Sequence, residues 1–390
     1  MNNITIFASR DIHLNNRLLK IISSLRKLNY SIEVISFNRD KDIKEEQFIE
    51  NKIKLRYVKL KFPPPSLTSS VISKILAYVE FLIKYILICF SVKGEIIWCE
   101  GIEFTLFGLL SSKILFRKKV LIYDARELYL YNNVFTHKPL YLRIILWLWE
   151  FIVIRFSDVV IATNIYRLNF MKRVFYINNK KSFILENLPS DKIFNTSEEV
   201  DDSYLEFIKD KKVIGYIGEI REGRGVDMIV DVLKFIPDNV VFVCFGNIDS
   251  NFKNLIEEKI KELNLERRIK IFRPFPYKKL LSIIKYFDVG ISIIENLSLN
   301  NYYCSPSKFY DYIFAQVPVI VSNNPPLVNV IETFKCGEII YDLENKNEFI
   351  EKICKILENK GIYKVGLSKA SKLLTWEFQE KLLLDVIGDL

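Results

Sequence analysis

Short apolar runs alternate along the chain with longer stretches whose apolar residues recur every three or four positions. Strands and helices are therefore predicted in regular succession. Residues 3–8 read as a strand, 16–28 as a helix carrying Leu18, Ile21, Ile22, Leu25 and Leu28 on one face, and 31–37 as a second strand. A helical crossover of this kind makes the two strands parallel. After a break at Pro63, Pro64 and Pro65, the pattern predicts helices at 70–90, 104–115 and 140–156. The accompanying strands fall at 54–61, 95–99, 120–123, 159–163 and 182–185. Strands joined by crossover helices form a parallel, doubly wound sheet.

The polar, acidic segment 188–202 (LPSDKIFNTSEEVDD) interrupts this order and, offering little to fill a core, reads as a linker. The pattern then restarts with strands at 213–217, 240–245, 269–272, 289–294, 319–321 and 339–341. Helices are predicted at 226–235, 252–263, 278–286 and 307–315, and 348–390 reads as helical, with Trp376 a large anchor. The expected fold class is α/β: two doubly wound Rossmann-like domains facing a cleft. The expected boundaries are 1–190 for the first domain, 191–365 for the second, and 366–390 for a last helix returning to the first.

Composition narrows the class. A chain of 390 residues exceeds one ordinary core, and 50% hydrophobic against 26% charged residues excludes disorder and a coiled coil. The cysteines are scattered without a C-x-x-C pair, which reads as reduced core thiols and a cytoplasmic protein. The start, MNNITIFASR, reads as a strand and not as a signal peptide. The apolar stretch 70–90 is broken by Lys74, Glu80 and Lys84, so no bilayer crossing is expected there, and 312–331 with its prolines reads as helix, turn and strand. Charge is asymmetric: residues 1–195 carry a net +13 and the remainder a net −4. A basic half suits an anionic partner, whether membrane surface, phosphorylated acceptor or nucleic acid; a solvated lysine-rich surface explains it equally. No nucleic-acid recognition module is present in the sequence, and no nucleic-acid partner is expected.

The chemistry-bearing residues cluster in a few segments. The strand at 213–217 ends in Gly218, and EIREGRG, Glu219 to Gly225, joins it to a helix. Glycines let backbone amides approach a phosphate, a helix amino terminus adds partial positive charge, and Arg221 and Arg224 can form charge-assisted bonds. A plain tight turn is the alternative. SPSKFYDY, from Ser305 to Tyr312, reads as an N-cap serine, a proline in the first helical position, and a helix ending before Pro318. Ser307 and Lys308 stand in its first turn and Asp311 follows on the same face. A cation at an anion-favouring helix start fits a phosphate beside it, with the acid placed for ribose hydroxyls; otherwise Lys308 and Asp311 pair with each other. In the first half, Asp124, Arg126 and Glu127 end a strand, where cleft residues of such sheets gather, although a salt bridge also accounts for Arg126. Glu100 and Glu103 are further candidates, and His13 and Arg17 follow the first strand, where they could overhang the cleft. Neither His13 nor His137 has a metal-ligand spacing, so no metal site is expected.

VIGYIGEIREGRGVDMIVDVLKFIPDNVVFVCFGN followed by SPSKFYDYIFAQVPVIVSNNPPLVNVIE resembles the donor-nucleotide half of GT-B glycosyltransferases, specifically the retaining enzymes of family 4. VLIYDARELY resembles that family's Asp-x-His-Glu segment, and the Trp376 helix its return crossover. The resemblance implies that Gly218 and Glu219, with the rest of their loop, meet the donor diphosphate, and that Arg224 and Lys308 stand on the family's cationic positions. It implies further that Asp311 takes the place of the second glutamate of E-x7-E, which binds the ribose, and that Arg273 and Pro274 border the nucleobase. The chain departs from the pattern at Tyr303 for the first glutamate, Gln316 for a common glycine, Arg126 for histidine and Glu219 for a frequent arginine.

The activity implied by the resemblance is sugar transfer from a nucleotide-diphosphate sugar, a UDP-sugar in the favoured case, with retention and without metal or other cofactor. Arg221, Arg224 and Lys308 would stabilise the leaving diphosphate, a role often worth ~3 kcal/mol per donor. Ser305, Ser307 and Asp311 would line the donor side, and Asp124, Arg126, Glu127 and His13 the acceptor side. A hexosyl- or N-acetylhexosaminyl-transferase building a cell-surface polysaccharide or lipid-linked glycan is the expected class; the basic first half, the apolar helix 70–90, Trp147 and Trp149 would suit a peripheral protein on the inner face of the membrane, and helices simply packed on their sheet are the alternative. A catalytically silent nucleotide-sugar-binding scaffold and a sugar-nucleotide 2-epimerase are the alternatives.

Overall fold

The computed structural model describes residues 3–8, 15–38, 46–50, 53–62, 70–115, 119–177, 181–191 and 198–390. The expected proline break at 63–65 lies outside them. The chain divides into two compact units, one formed by Met1–Glu186 with Glu380–Leu390 and the other by Asn187–Gln379.

The first unit is built on one sheet of eight strands: β1 (Asn3–Phe7), β2 (Ser31–Asn38), β3 (Glu46–Glu50), β4 (Ile53–Lys59), β5 (Ile96–Glu100), β6 (Val120–Ala125), β7 (Val159–Ala162) and β8 (Lys181–Ile184). Their order is β3-β4-β2-β1-β5-β6-β7-β8. All pair in parallel except β3, which lies antiparallel on β4, an edge strand the sequence pattern does not announce. Strands β5 and β7 are buried at every position, as a sheet covered on both faces requires. The order reverses at β1, which sits between β2 and β5 with Ile4 opposite both Ile32 and Ile96. Two helices not anticipated are Ile165–Phe175, capped by the Asn164 side chain, and the short turn Asn133–Thr136.

The second unit repeats the plan with six strands, all parallel: β9 (Lys212–Ile217), β10 (Val240–Phe245), β11 (Ile269–Phe272), β12 (Val289–Ser292), β13 (Val319–Ser322) and β14 (Gly337–Ile340), in the order β11-β10-β9-β12-β13-β14. Its core joins β10, buried throughout, to the helices Val226–Leu233, Ser307–Phe314 and Lys346–Glu358. The expected linker is not a free connection. Leu188 enters this core, the Trp376 amide donates to the Pro189 carbonyl at 2.7 Å, and the Ser190 hydroxyl donates to Glu377 at 2.6 Å. One apolar residue and two polar anchors thus fix residues 188–190 of a segment that composition marks as loose, and helix Asp202–Ile208 begins at its far end. Pro325 and Pro326, in the run read as helix, turn and strand, occupy the first turn of a further helix, Pro325–Phe334, where a missing amide costs nothing. All six cysteines are free thiols.

Candidate functional site

In the second unit the strand order reverses between β9 and β12, and the carboxyl end of β9 opens there. The loop 218–225 is held down at its start. The Gly218 amide donates to the Phe245 carbonyl at 2.9 Å, the Ile220 amide to Asn247 at 2.8 Å, and the Asp249 amide returns to Ile220 at 2.9 Å. Ile220 is fully buried, which pins the loop to the segment that follows β10. Gly218, Gly223 and Gly225 have φ of +121°, +76° and +76°, values that a side chain would strain. Space adds a second restriction: a Cβ on Gly225 would lie 2.5 Å from Cβ of Ile293, and one on Gly246 only 1.8 Å from the Gly218 carbonyl oxygen. Backbone thus approaches backbone at the start of the loop, and backbone approaches the Ile293 side chain where the loop turns into helix Val226–Leu233.

Helix Ser307–Phe314 brings the second group. Its N-cap is Pro306, extended at φ −72° and ψ 140°, and no side chain caps it, so Ser305 is not the cap that the sequence suggests. The helix starts one residue later than expected, with Ser307 in its first position and its leading amides without a side-chain acceptor. The Lys308 ammonium lies 3.6 Å from the centroid of the Tyr216 ring, a cation–π contact from β9. Burial, then the charges of Arg224 and Arg221, hold its pKa well below the usual lysine range. Arg221 is paired with Glu219 at 2.9 Å, both at the surface. Among the described residues no carboxylate pairs with Lys308 or Arg224. Gly218, Glu219, Arg221, Arg224 and Lys308 are therefore brought together. Of the three cations, Arg221 alone has a paired carboxylate among the described residues.

Tyrosines that sequence reasoning passed over shape this region. Tyr216 donates its hydroxyl to the Glu219 carbonyl at 2.6 Å, fixing the loop, and the Tyr312 hydroxyl accepts the Ile217 amide at 2.9 Å, tying the lysine's helix to β9. Asp311 is buried and accepts from the Tyr277 hydroxyl at 2.6 Å; burial first, and then Asp311, push the Tyr277 pKa well up. Buried Asn324 donates to Asn296 at 2.7 Å and to the Asn301 carbonyl at 3.0 Å, holding the segment between β12 and the Lys308 helix. The available signal was a tyrosine within an apolar strand or helix, or an asparagine between elements, whose polar atoms need partners once buried. Arg273 and Pro274 are exposed after β11, whose last residue, Phe272, accepts the Gly246 amide at 3.2 Å.

The candidates of the first unit gather at the carboxyl ends of β5 and β6 and are mutually neutralised. Asp124 has no exposed surface: Arg17 holds both its oxygens, at 2.5 and 3.0 Å, and the Trp98 indole donates to it at 3.3 Å. Arg17 is itself buried and also donates to the Leu185 carbonyl, so it does not overhang an opening. Glu100, buried as well, accepts from Asn15 at 2.9 Å and pairs with Arg126 at 3.1 Å, the salt bridge foreseen as the alternative for that arginine. Arg126 keeps partial exposure, and Glu103 and Glu127 are exposed. His137 is exposed at the end of helix Asn133–Thr136, and His13 lies outside the described residues.

Residues 198–373 match the family of group 1 glycosyl transferases. That segment spans most of the second unit, whose domain is thereby similar to this family. The glycine loop and the Lys308 helix both lie inside the matched segment of this domain. No curated protein sequence matches the chain. Solved structures show the fold over its whole length. Sucrose-phosphate synthase from Thermosynechococcus elongatus is similar at a TM-score of 0.79 and 14% identity, covering 100% of this chain and 99% of its own. Anabaena HepE, solved in complex with UDP-glucose, is similar at 0.72 and 12%, covering 100% of both. WaaG, a glycosyltransferase involved in lipopolysaccharide biosynthesis, is similar at 0.66 and 12%, covering 99% and 100%. The fold of the chain is that of the GT-B glycosyltransferases, and its second unit is similar to the group 1 glycosyl transferases.

Proposed function

We propose that the protein transfers a sugar from a nucleotide-diphosphate sugar, with UDP-sugar the favoured donor, to a hydroxyl of a glycan or lipid-linked acceptor, with retention and without a metal. The observation that carries this reading is the cation cluster of the second unit, where Lys308 and Arg224 lie beside a glycine loop without a carboxylate of their own. Transfer breaks the bond between anomeric carbon and phosphate, and negative charge grows on the departing diphosphate. Lys308, Arg224 and Arg221 would receive that charge, together with amides at the start of helix Val226–Leu233. Asp311, oriented by Tyr277, would accept from a ribose hydroxyl, with Glu219, Ser305 and Ser307 beside the phosphates and Arg273 and Pro274 beside the base. On the first unit, Arg126 and Glu127 keep the exposure needed to meet an acceptor, while Asp124, buried against Arg17, holds the strand end that carries them. The setting that suits such an acceptor is the cytoplasmic face of a membrane.

The test is calorimetric titration of the purified chain with UDP, GDP, ADP and CDP and their sugars, alongside Lys308→Ala and Arg224→Ala. Selective binding of one nucleotide, weakened in both variants, is the expected result; release of that nucleotide on adding a glycan acceptor then reports the transfer itself. Binding that ignores both substitutions would refute the assignment of the phosphate site.

A further inference from the structure

The carboxyl ends of β5 and β6 present more than their buried ion pairs. Directly after β5, Gly101 takes a φ of +98°, and its amide donates to the Asp124 carbonyl at 3.1 Å, which ties this turn to β6. A Cβ on Gly101 would lie 2.5 Å from Oε2 of Glu103 and 2.7 Å from the hydroxyl oxygen of Tyr129. The glycine therefore lets Glu103 fold back beside Tyr129, and a carboxylate from one strand end meets a phenol from the next over a single α-carbon. Among the described residues neither the carboxylate nor the hydroxyl has a hydrogen-bond partner on another residue. Glu103 is exposed and Tyr129 half-buried. A carboxylate can accept from two neighbouring hydroxyls at once, and a phenol both donates and accepts, which is the complement of a sugar ring with adjacent free hydroxyls.

Charge narrows the kind of sugar. The charged groups facing Glu103 are Arg126, Glu100 and Glu127, and Arg126 pairs with Glu100 at 3.1 Å. Arg17 closes on Asp124, and the buried Arg167 donates to the Arg126 carbonyl at 2.6 Å and to the Thr163 hydroxyl at 2.9 Å. The described arginines at this end are thus committed to partners within the unit, and the groups left open are Glu103, Glu127 and the Tyr129 hydroxyl. A phosphorylated sugar would set its dianion against two exposed carboxylates, and like charges brought together disfavour a complex. A neutral ring brings hydroxyl donors, which is what those carboxylates lack.

We propose that Glu103 and Tyr129 select the acceptor, holding the hydroxyls of a neutral, unphosphorylated sugar ring and disfavouring a sugar phosphate. The inference rests on the transferase reading but is tested on the first unit by sugar binding, whereas UDP titration tests the second. Saturation-transfer NMR on the full chain, with UDP in excess, gives dissociation constants for glucose, galactose and N-acetylglucosamine, each beside its 6-phosphate. At least one neutral sugar is expected to bind at least about tenfold more tightly than its phosphate. Glu103→Gln keeps the shape and removes the charge; it should weaken the neutral sugar about 10- to 100-fold and narrow the gap to the phosphate. Tyr129→Phe should weaken the neutral sugar about three- to tenfold. Thermal midpoint and UDP affinity should stay as in wild type in both variants, which separates sugar recognition from a structural role. Phosphates that bind as tightly as the neutral sugars overturn the proposal, as does a preference for the neutral ring that survives Glu103→Gln. A chain that binds UDP and takes no neutral sugar overturns it too and leaves the nucleotide assignment standing. Neutral sugar held through Glu103 in a chain without nucleotide affinity upholds the sugar subsite and refutes the transferase reading instead.

Discussion

Replacing Lys308 by methionine should weaken nucleotide binding and, in the same protein, make the empty fold more stable. The ammonium sits 3.6 Å above the Tyr216 ring with Arg224 and Arg221 as electrostatic neighbours, and burial with those two charges disfavours its protonated form. An attraction of about 4 kcal/mol acts between unit charges ~4 Å apart at an effective dielectric of ~20. After the desolvation already incurred, a charged hydrogen bond typically nets about 1.5–3 kcal/mol, so Lys308→Met should raise the UDP Kd by about 10- to 100-fold. The pH dependence has a definite sign. A lysine whose folded pKa is depressed leaves the unfolded chain holding more protons between that value and the ordinary 10.5, so wild-type stability rises with pH across that window. The methionine variant loses this rise and melts higher near neutrality. A bound diphosphate reverses the preference of Lys308, so UDP binding takes up a proton and weakens as pH climbs above the depressed value. Calorimetry in buffers of different ionisation enthalpy counts that proton, and thermal melts without nucleotide read the stability. A UDP Kd within about threefold of wild type in Lys308→Met, together with no proton uptake, would refute the reasoning.

Other perturbations test the frame around the site. Glu150 is buried against the Tyr123 hydroxyl, and burial pushes its pKa up to about 7; the folded state therefore holds the extra proton, and stability falls as pH rises from 4.5 towards 7. Glu150→Gln should flatten that fall, worth about 3 kcal/mol, in urea unfolding at a series of pH values. Arg17→Met leaves the Asp124 carboxylate buried without its cation and should cost about 3–5 kcal/mol in the same assay, whereas a loss under about 1 kcal/mol would show that Trp98 and water suffice. Gly246→Ala places a Cβ 1.8 Å from the Gly218 carbonyl, so the loop must move; UDP binding should be lost, and retained affinity with an unchanged melting midpoint would contradict the packing described.

Much of the fold was legible because parallel strands buried on both faces read as uninterrupted apolar runs, as β10 (VVFVCF) and β7 (VVIA) do. The exceptions share a physical cause. Strand β3, EQFIE, pairs on one side only and so needs no apolar run. Helix Ile165–Phe175 hides behind a buried arginine, Arg167, that donates to the Arg126 carbonyl at 2.6 Å in place of an apolar contact. Leu188 looks like loop until the second unit supplies the core around it. The glycine loop and the lysine helix were visible as residue types, since positive φ and cations leave marks in composition. Their partners were not: Tyr216 and Lys308 lie far apart in sequence, as do Arg17 and Asp124, and no periodicity links such pairs.

The two units treat their charges in opposite ways, and the contrast is itself an argument about ligands. At the switch point of the first sheet, Arg17 closes on Asp124, and Asn15 and Arg126 close on Glu100, so the buried charges are balanced inside the protein. Such pairs contribute architecture and need nothing from outside. At the switch point of the second, Lys308 and Arg224 lie close enough to depress the lysine's pKa, with no paired carboxylate among the described residues. Stability alone would favour removing one of the two cations or adding an acid, the arrangement the first unit has. A cluster left repulsive in the empty protein is stabilised only when an anion arrives, and the glycine loop leaves room for one at the backbone amides. The binding energy gained there includes relief of that repulsion, which is why removing Lys308 should strengthen the empty fold and weaken the complex together.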